Sequence, residues 1–231
     1  LCVFGVGTPV VCFHGVAIVV TDGEYSDVYQ FPGLVDELVL SRFACPSTAG
    51  TVSEVTKFTI STSGTAEEKM LCLGTGFMPK AALVDFELSL SVPARTTADT
   101  GIDALTHAME SYVSKKASAY TDTQAITAMK LIGPNLRRVF HDGSDREARE
   151  QMMLGSTLAG VAFSNASVAL VHGMSRPIGA FYHVPHGLSN AMLLPTVTEY
   201  SIPAAAERYA DCARAIGAAD SSDNTKQANQ K

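Results

Sequence analysis

Asp103 and His107 stand four residues apart in TGIDALTHAMESYVS, and a spacing of just over one helical turn sends both side chains from one face. A carboxylate and an imidazole so placed can share a divalent ion, although the same pair equally suits a surface or capping interaction. Farther along, VHGMSRPIGAFYHVPHGLSN at 171–190 gathers His172, His183 and His186, three of the six histidines in the chain. Gly173 and Gly187 follow two of them and would let the backbone bend close to a bound group. Pro177 and Pro185 are expected to stiffen the connection between the histidines. One carboxylate with imidazoles is a recognised divalent donor set that leaves positions for a substrate oxygen. A third stretch, PSTAGTVSEVT at 46–56, surrounds Gly50 with hydroxyls. Ser47, Thr48 and Thr51 offer donors to a phosphate there, and an ordinary Ser/Thr-rich loop has the same composition.

These residues sit in a chain of 231 residues, enough for one large domain or two small ones. With 46% hydrophobic and 17% charged residues it can build a sizeable core. A net charge of -6 argues against a nucleic-acid surface, which needs a basic patch. The five cysteines form no CxxC pair, which fits a reducing, cytoplasmic setting better than a disulfide scaffold. The opening run LCVFGVGTPVVCFHGVAIVV has about the length of a spanning helix, but it lacks a basic flank and contains three glycines, Pro9 and His14. A buried strand, a glycine turn and a helix suit it better, and no membrane partner is expected.

Two compositional zones carry the motifs. In residues 1–92, short β-branched runs alternate with turn signals: VAIVV at 16–20, KFTIST at 57–62 and AALVDF at 81–86 read as strands. In residues 93–231, helix follows helix. The first carries Ile102, Leu105, Ala108, Met109, Tyr112 and Val113 at helical spacing. The second starts at Thr121-Asp122 and is expected to break at Gly133-Pro134. A third, SDREAREQMMLGSTLAGVAF, has Ser144 as its expected N-cap with Glu147 three residues on. A fourth, IPAAAERYADCARAIG, is closed by Gly217, and the polar tail is expected to fray or to be a truncated helix.

The three motifs occur in the same order and with the same flanks in the iron-containing (group III) alcohol dehydrogenases, which the chain resembles from about Thr48 to beyond Pro195. PSTAGTVSEVT resembles that family's PTTAGTGSE loop, TGIDALTHAMESYVS its GxDALTHAxExY helix, and AGVAFSNASVALVHGMSRPIGAFYHVPHGLSNAMLLP its signature. The resemblance implies a dehydroquinate synthase-like architecture of class α/β plus all-α. A partial Rossmann-like dinucleotide-binding domain (1–92) would be followed by an all-helical metal-binding catalytic domain (93–231). It implies Asp103, His107, His172 and His186 as ligands of Fe2+, with Zn2+ as the other candidate. It further implies contacts from Ser47, Thr48, Thr51 and Lys69 to NAD or NADP, and a small alcohol or aldehyde as substrate. The implied activity is that of an NAD(P)-linked alcohol dehydrogenase or aldehyde reductase.

Departures from the pattern shape the remaining expectations. The family's HGMAHP is HGMSRP here, and Arg176 cannot act as a base. It is expected to bind an acidic substrate group or a cofactor phosphate, with His183 taking over proton transfer. GVGTPVVCFH at 5–14 falls on the family's GGGSxxDxAK motif: Gly5, Gly7 and Thr8 keep part of it, whereas Val6, Val11 and His14 do not. The chain opens on Leu and is expected to be an incomplete member lacking both ends. Missing pieces would expose core surface and favour marginal stability or association as a homodimer or higher oligomer. A metal-binding copy without turnover, a metal-dependent hydrolase and a helical structural module are the rival readings.

Overall fold

The computed structural model describes residues 2–5, 43–62 and 69–231. Strands β1 (Cys2–Gly5), β2 (Phe43–Pro46) and β5 (Ala81–Ala82) form a parallel sheet with β2 in the middle. Cys2 pairs with Phe43, and Phe43 with Ala81. Parallel neighbours need a crossover between them, the hallmark of an α/β unit. Strands β3 (Phe58–Thr62) and β4 (Lys69–Leu73) make a separate antiparallel pair. The expected strand at 57–62 is therefore present. The expected strand at 81–86 shrinks to two residues, after which Asp85 caps a 3-10 turn at Phe86–Ser89. The expected strand at 16–20, together with Gly7, Thr8, Val11 and His14, lies outside the described residues.

Every α-helix among the described residues follows Pro93. They are α1 (Ala94–Val113), α2 (Ala119–His141), α3 (Arg146–Ala166), α4 (Leu170–Phe181), α5 (His186–Ser201), α6 (Ala206–Ala215) and the short α7 (Thr225–Ala228). α1 is buried on nearly all sides, as a central helix must be. Ala104, Ala108, Met109 and Tyr112 face the core, where they meet Ala128, Met129 and Ile132 of α2, Met152 and Ala159 of α3, and Cys212 of α6. The many alanines let the helices approach closely. Each fully buried Met or Ile contributes about 1.5–3 kcal/mol.

α2 differs from expectation at both ends. Ser118, not Thr121, caps it, in a capping box closed by Thr121. The helix also runs through Gly133-Pro134 to His141 instead of breaking. Gly133 abuts the Ile216 backbone, where an added Cβ would stand 2.6 Å from the Ile216 carbonyl oxygen. Pro134 removes one ladder bond, and Asn135 Nδ2 adds a side-chain bond to the adjacent carbonyl, Leu131 O, at 2.8 Å. The cap of α3 is Asp145, which accepts from Ala148 N, while Ser144 donates to Asp142. The fourth expected helix appears as a 3-10 turn (Ile202–Ala204) followed by α6, and Gly217 beyond it has φ 79°.

α6 is pinned to α1 and α2 by one arginine. Arg208 stacks over the Tyr112 ring at 3.9 Å, donates to Tyr112 O at 2.6 Å and pairs with Asp122. Among the described residues no single helix is long and apolar enough to cross a membrane. α3 and α4 pass that test only as a pair bent by 101°.

Candidate metal centre

α1 carries three buried polar side chains on one face: Asp103, His107 and Glu110. α4 brings His172 to them from its first turn, and α5 begins at His186. Asp103 Oδ1 is the hub. It lies 3.4 Å from His172 Nε2, 3.6 Å from His186 Nε2 and 3.8 Å from His107 Nδ1. Donors about 3.3–3.6 Å apart form the edges of a tetrahedron with metal bonds of about 2.0–2.2 Å. Asp103, His107 and His172 offer donor atoms that all lie within 4.8 Å of one another.

The surroundings hold the rings in place. His107 stacks on Phe163 of α3 with centroids 4.4 Å apart, and Phe163 in turn stacks on Phe58 of β3. His172 tilts against both His107 and His186. Two further side chains complete the shell. Glu110 accepts His172 Nδ1–H at 2.6 Å. Asn190, one turn into α5 and fully buried, points Nδ2 at Asp103 Oδ1 (2.7 Å), His172 Nε2 (3.2 Å) and His186 Nε2 (3.3 Å).

The electrostatics suit a cation. Burial alone would raise Asp103, but His107, His186 and His172 around it hold its carboxyl well below the usual range. Burial pushes His107 down to about 3, against the pull of Asp103, so this ring is neutral near pH 7. His172 is moved up: burial opposes this, but hydrogen bonds to Asp103 and Glu110 prevail. His107 Nδ1 and Asn190 Oδ1 are buried with no hydrogen-bond partner among the described residues. An ionised carboxylate and a neutral ring with an unmatched lone pair fit a divalent cation.

The depressed His107 has a consequence for the metal-free chain. Between its ordinary value of 6.5 and the folded value of about 3, the unfolded chain binds a proton that the folded one refuses. Stability therefore falls as pH drops through that window. His107→Phe, which keeps a ring against Phe163, should flatten the fall. Urea unfolding at pH 7 and pH 5 checks it, and an unchanged difference between wild type and variant at the two pH values would refute it.

The other expected site residues spread around this centre. Ser47, Thr48 and Thr51 follow β2 in a loop that presses on α1: a Cβ on Gly50 would stand 2.3 Å from Thr100 O, three residues before Asp103. Thr48 is buried, and Ser47 and Thr51 are half-buried. Gly5 ends β1, and Lys69 opens β4 with its backbone opposite Thr62. Arg176 lies one turn beyond His172 on α4, with Nε buried and without a hydrogen-bond partner. Its electrostatic neighbours include Glu110 and His107, and burial lowers its pKa. His183 is exposed in the α4–α5 elbow at φ 53°.

Two sequence expectations change. Pro177 lies inside α4 and Pro185 caps α5, so the histidines arrive on two helices and not on one stiffened connection. Gly187 serves a helix contact with Asp99, while Gly173 has open space beside it. The residues not anticipated are Glu110 and Asn190. Each had a signal: Glu110 continues the Asp103–His107 face at i+7 and i+3, and Asn190 follows His186 at i+4.

Residues 97–231 match the family model described as "Fe-containing alcohol dehydrogenase family, C-terminal". The 1,3-propanediol dehydrogenase of Klebsiella pneumoniae is 40% identical over 215 residues, which cover 92% of this chain and 55% of that protein. The chain thus spans about half the length of the curated relatives it matches. A crystal structure of 1,3-propanediol oxidoreductase superimposes with a TM-score of 0.93 at 38% identity, covering 99% of this chain and 60% of that one. The sulfoacetaldehyde reductase of Bifidobacterium kashiwanohense, solved with NAD+, gives 0.83 at 28% identity, with 99% and 60% covered.

Proposed function

The chain belongs to the iron-containing alcohol dehydrogenase family, and from that we propose that it supplies the metal half of an NAD(P)-linked alcohol dehydrogenase or aldehyde reductase. Residues 93–231 form its helical metal-binding catalytic domain, and residues 1–92 are part of its dinucleotide-binding domain. The observation that carries this reading is the convergence of one carboxylate and three imidazoles from three helices within 3.4–3.8 Å of a single oxygen. Asp103, His107, His172 and His186 hold the cation. Fe2+ is the family's namesake, and a mixed O/N donor set accepts Zn2+ as well. When bound, the cation acts as a Lewis acid toward a substrate oxygen.

The chain's own residues do the rest. Ser47, Thr48 and Thr51, with Gly5, Gly7, Thr8 and Lys69, are the cofactor-binding set. The loop of Ser47, Thr48 and Thr51 touches α1 at Thr100, and its nearness to the helix of Asp103 supports the reading for these three. NAD is the cofactor favoured, since the sulfoacetaldehyde reductase relative holds it. His183, exposed at the elbow, passes the alcohol proton to solvent. The aromatic wall of Phe163 and Phe58 keeps water from one side of the centre. The substrate is a small alcohol or aldehyde, with no nucleic acid or membrane partner, and copies associate as a homodimer or larger assembly. The five cysteines with no CxxC pair support a cytoplasmic setting.

Arg176 tunes the substrate. A buried guanidinium nitrogen without a partner seeks an anion, so substrates carrying an acidic group are favoured over plain alcohols. Losing a charge-assisted bond costs about 10–100-fold. Arg176→His should lower the kcat/KM ratio of a hydroxy acid to the matching plain alcohol by about that factor, and an unchanged ratio would sink the assignment.

The test of the function is anaerobic loading with Fe2+ or Zn2+, followed by aldehyde reduction with NADH and with NADPH. One metal per chain, lost in His186→Ala, together with turnover supports the dehydrogenase. Metal without turnover makes the chain a binding copy, and ester hydrolysis without nicotinamide makes it a hydrolase.

A further inference from the structure

We propose that Glu110 is a positioning residue that aims His172 at the metal and docks the first turn of α4 through the same carboxylate, so that cation binding and the seating of α4 are one event. The inference deepens the metal reading above and rests on it. α4 starts after Ala169, which has no side-chain oxygen to cap the helix. Its second and third residues, Val171 and His172, carry N–H groups with no partner inside the helix. Glu110 reaches across from α1 to meet them. Its Oε1 accepts from Val171 N at 2.6 Å, and its Oε2 accepts from His172 N at 3.4 Å and from His172 Nδ1 at 2.6 Å. A carboxylate at a helix N-terminus also meets the positive end of the helix dipole.

Three donors converge on two oxygens of one side chain that is 4% exposed. With Nδ1–H committed to Glu110, the opposite nitrogen, Nε2, is the one left for a cation, 3.4 Å from Asp103 Oδ1. The imidazole and the helix backbone are therefore fixed by the same group. A shift of α4 swings the ligand, and a cation that fixes the ligand holds α4. Glutamine at this position has one acceptor for donors that need two. It must face its NH2 either to the Val171 amide or to His172 Nδ1–H, and either choice breaks the link.

The experiment combines a zinc titration with residue-resolved amide hydrogen exchange, on the wild-type chain and on Glu110→Gln. In wild type, zinc should slow exchange at Val171 and His172. In the variant, zinc affinity should fall about 10–100-fold and the slowing should vanish. A role confined to capping would leave zinc affinity near the wild-type value, and that result overturns the proposal. So does a wild-type chain that binds zinc with no change in exchange at those two amides, a result needing no variant to fold. A wild-type chain that binds no zinc removes the metal reading itself, which the titration shows first.

Discussion

Gly187→Ala should dismantle the metal centre while leaving the helical core standing. The added Cβ would lie 2.0 Å from Asp99 O and 2.5 Å from Asp99 C, both backbone atoms that no rotamer change can move. The first turn of α5 must retreat from α1 by an ångström or so. His186 is the neighbouring residue, and its Nε2 stands 3.6 Å from Asp103 Oδ1, four residues beyond Asp99. A site tolerates about 0.5 Å of misplacement, so the retreat takes one ligand out of reach. Zinc affinity is expected to drop about 100-fold, with an overpacking cost of about 1–3 kcal/mol in stability. Calorimetric titration together with thermal unfolding reads both. Wild-type affinity in the variant would show that α5 can slide without moving its ligand.

Asp103→Asn should weaken both metal binding and the metal-free fold. Asp103 is the single carboxylate in the ligand set, and all three imidazoles face its Oδ1. An amide of the same shape gives the cation no charge, so affinity should fall by at least about 100-fold. In the metal-free chain the change also removes a buried anion that the surrounding imidazoles favour more than burial disfavours it, since its pKa is lowered in the fold. The apo variant should therefore unfold below the wild-type temperature at pH 7. An apo variant as stable as wild type would mean that the carboxylate gives the fold no electrostatic support. Asp103 is depressed in the folded state, so its electrostatic support is present above the unfolded pKa of about 3.9 and is lost as pH falls below it. The variant should accordingly show a flatter acid limb than wild type.

The convergence of Asp103, His107, His172 and His186 was legible because spacing and resemblance agree: i,i+4 on one helix and three histidines in a short run. Glu110 and Asn190 were harder to see. A Glu three residues past a histidine looks like solvated surface until α4 is known to cover it. Asn190 looks like one more polar residue on an amphipathic helix. The breaker rule failed at Gly133-Pro134 because the Ile216 backbone packs on the glycine, a partner that is not visible locally. Ser144 lost the cap of α3 to its neighbour Asp145, a one-residue contest that composition cannot decide. Gly187 was expected to approach a bound group, and its close partner is the Asp99 helix backbone instead.

The hub also bears on the order of events in folding. Asn190 and Asp103 are 87 residues apart in sequence, and Glu110 and His172 are 62 apart. Contacts of such separation carry a high loop-closure cost and form late, after α1, α2 and α3 have collapsed together. A cation that needs the assembled donor set then acts after the rate-limiting step. It would slow unfolding and leave the folding rate nearly unchanged, acting as a latch on the finished chain and not as a nucleus for it.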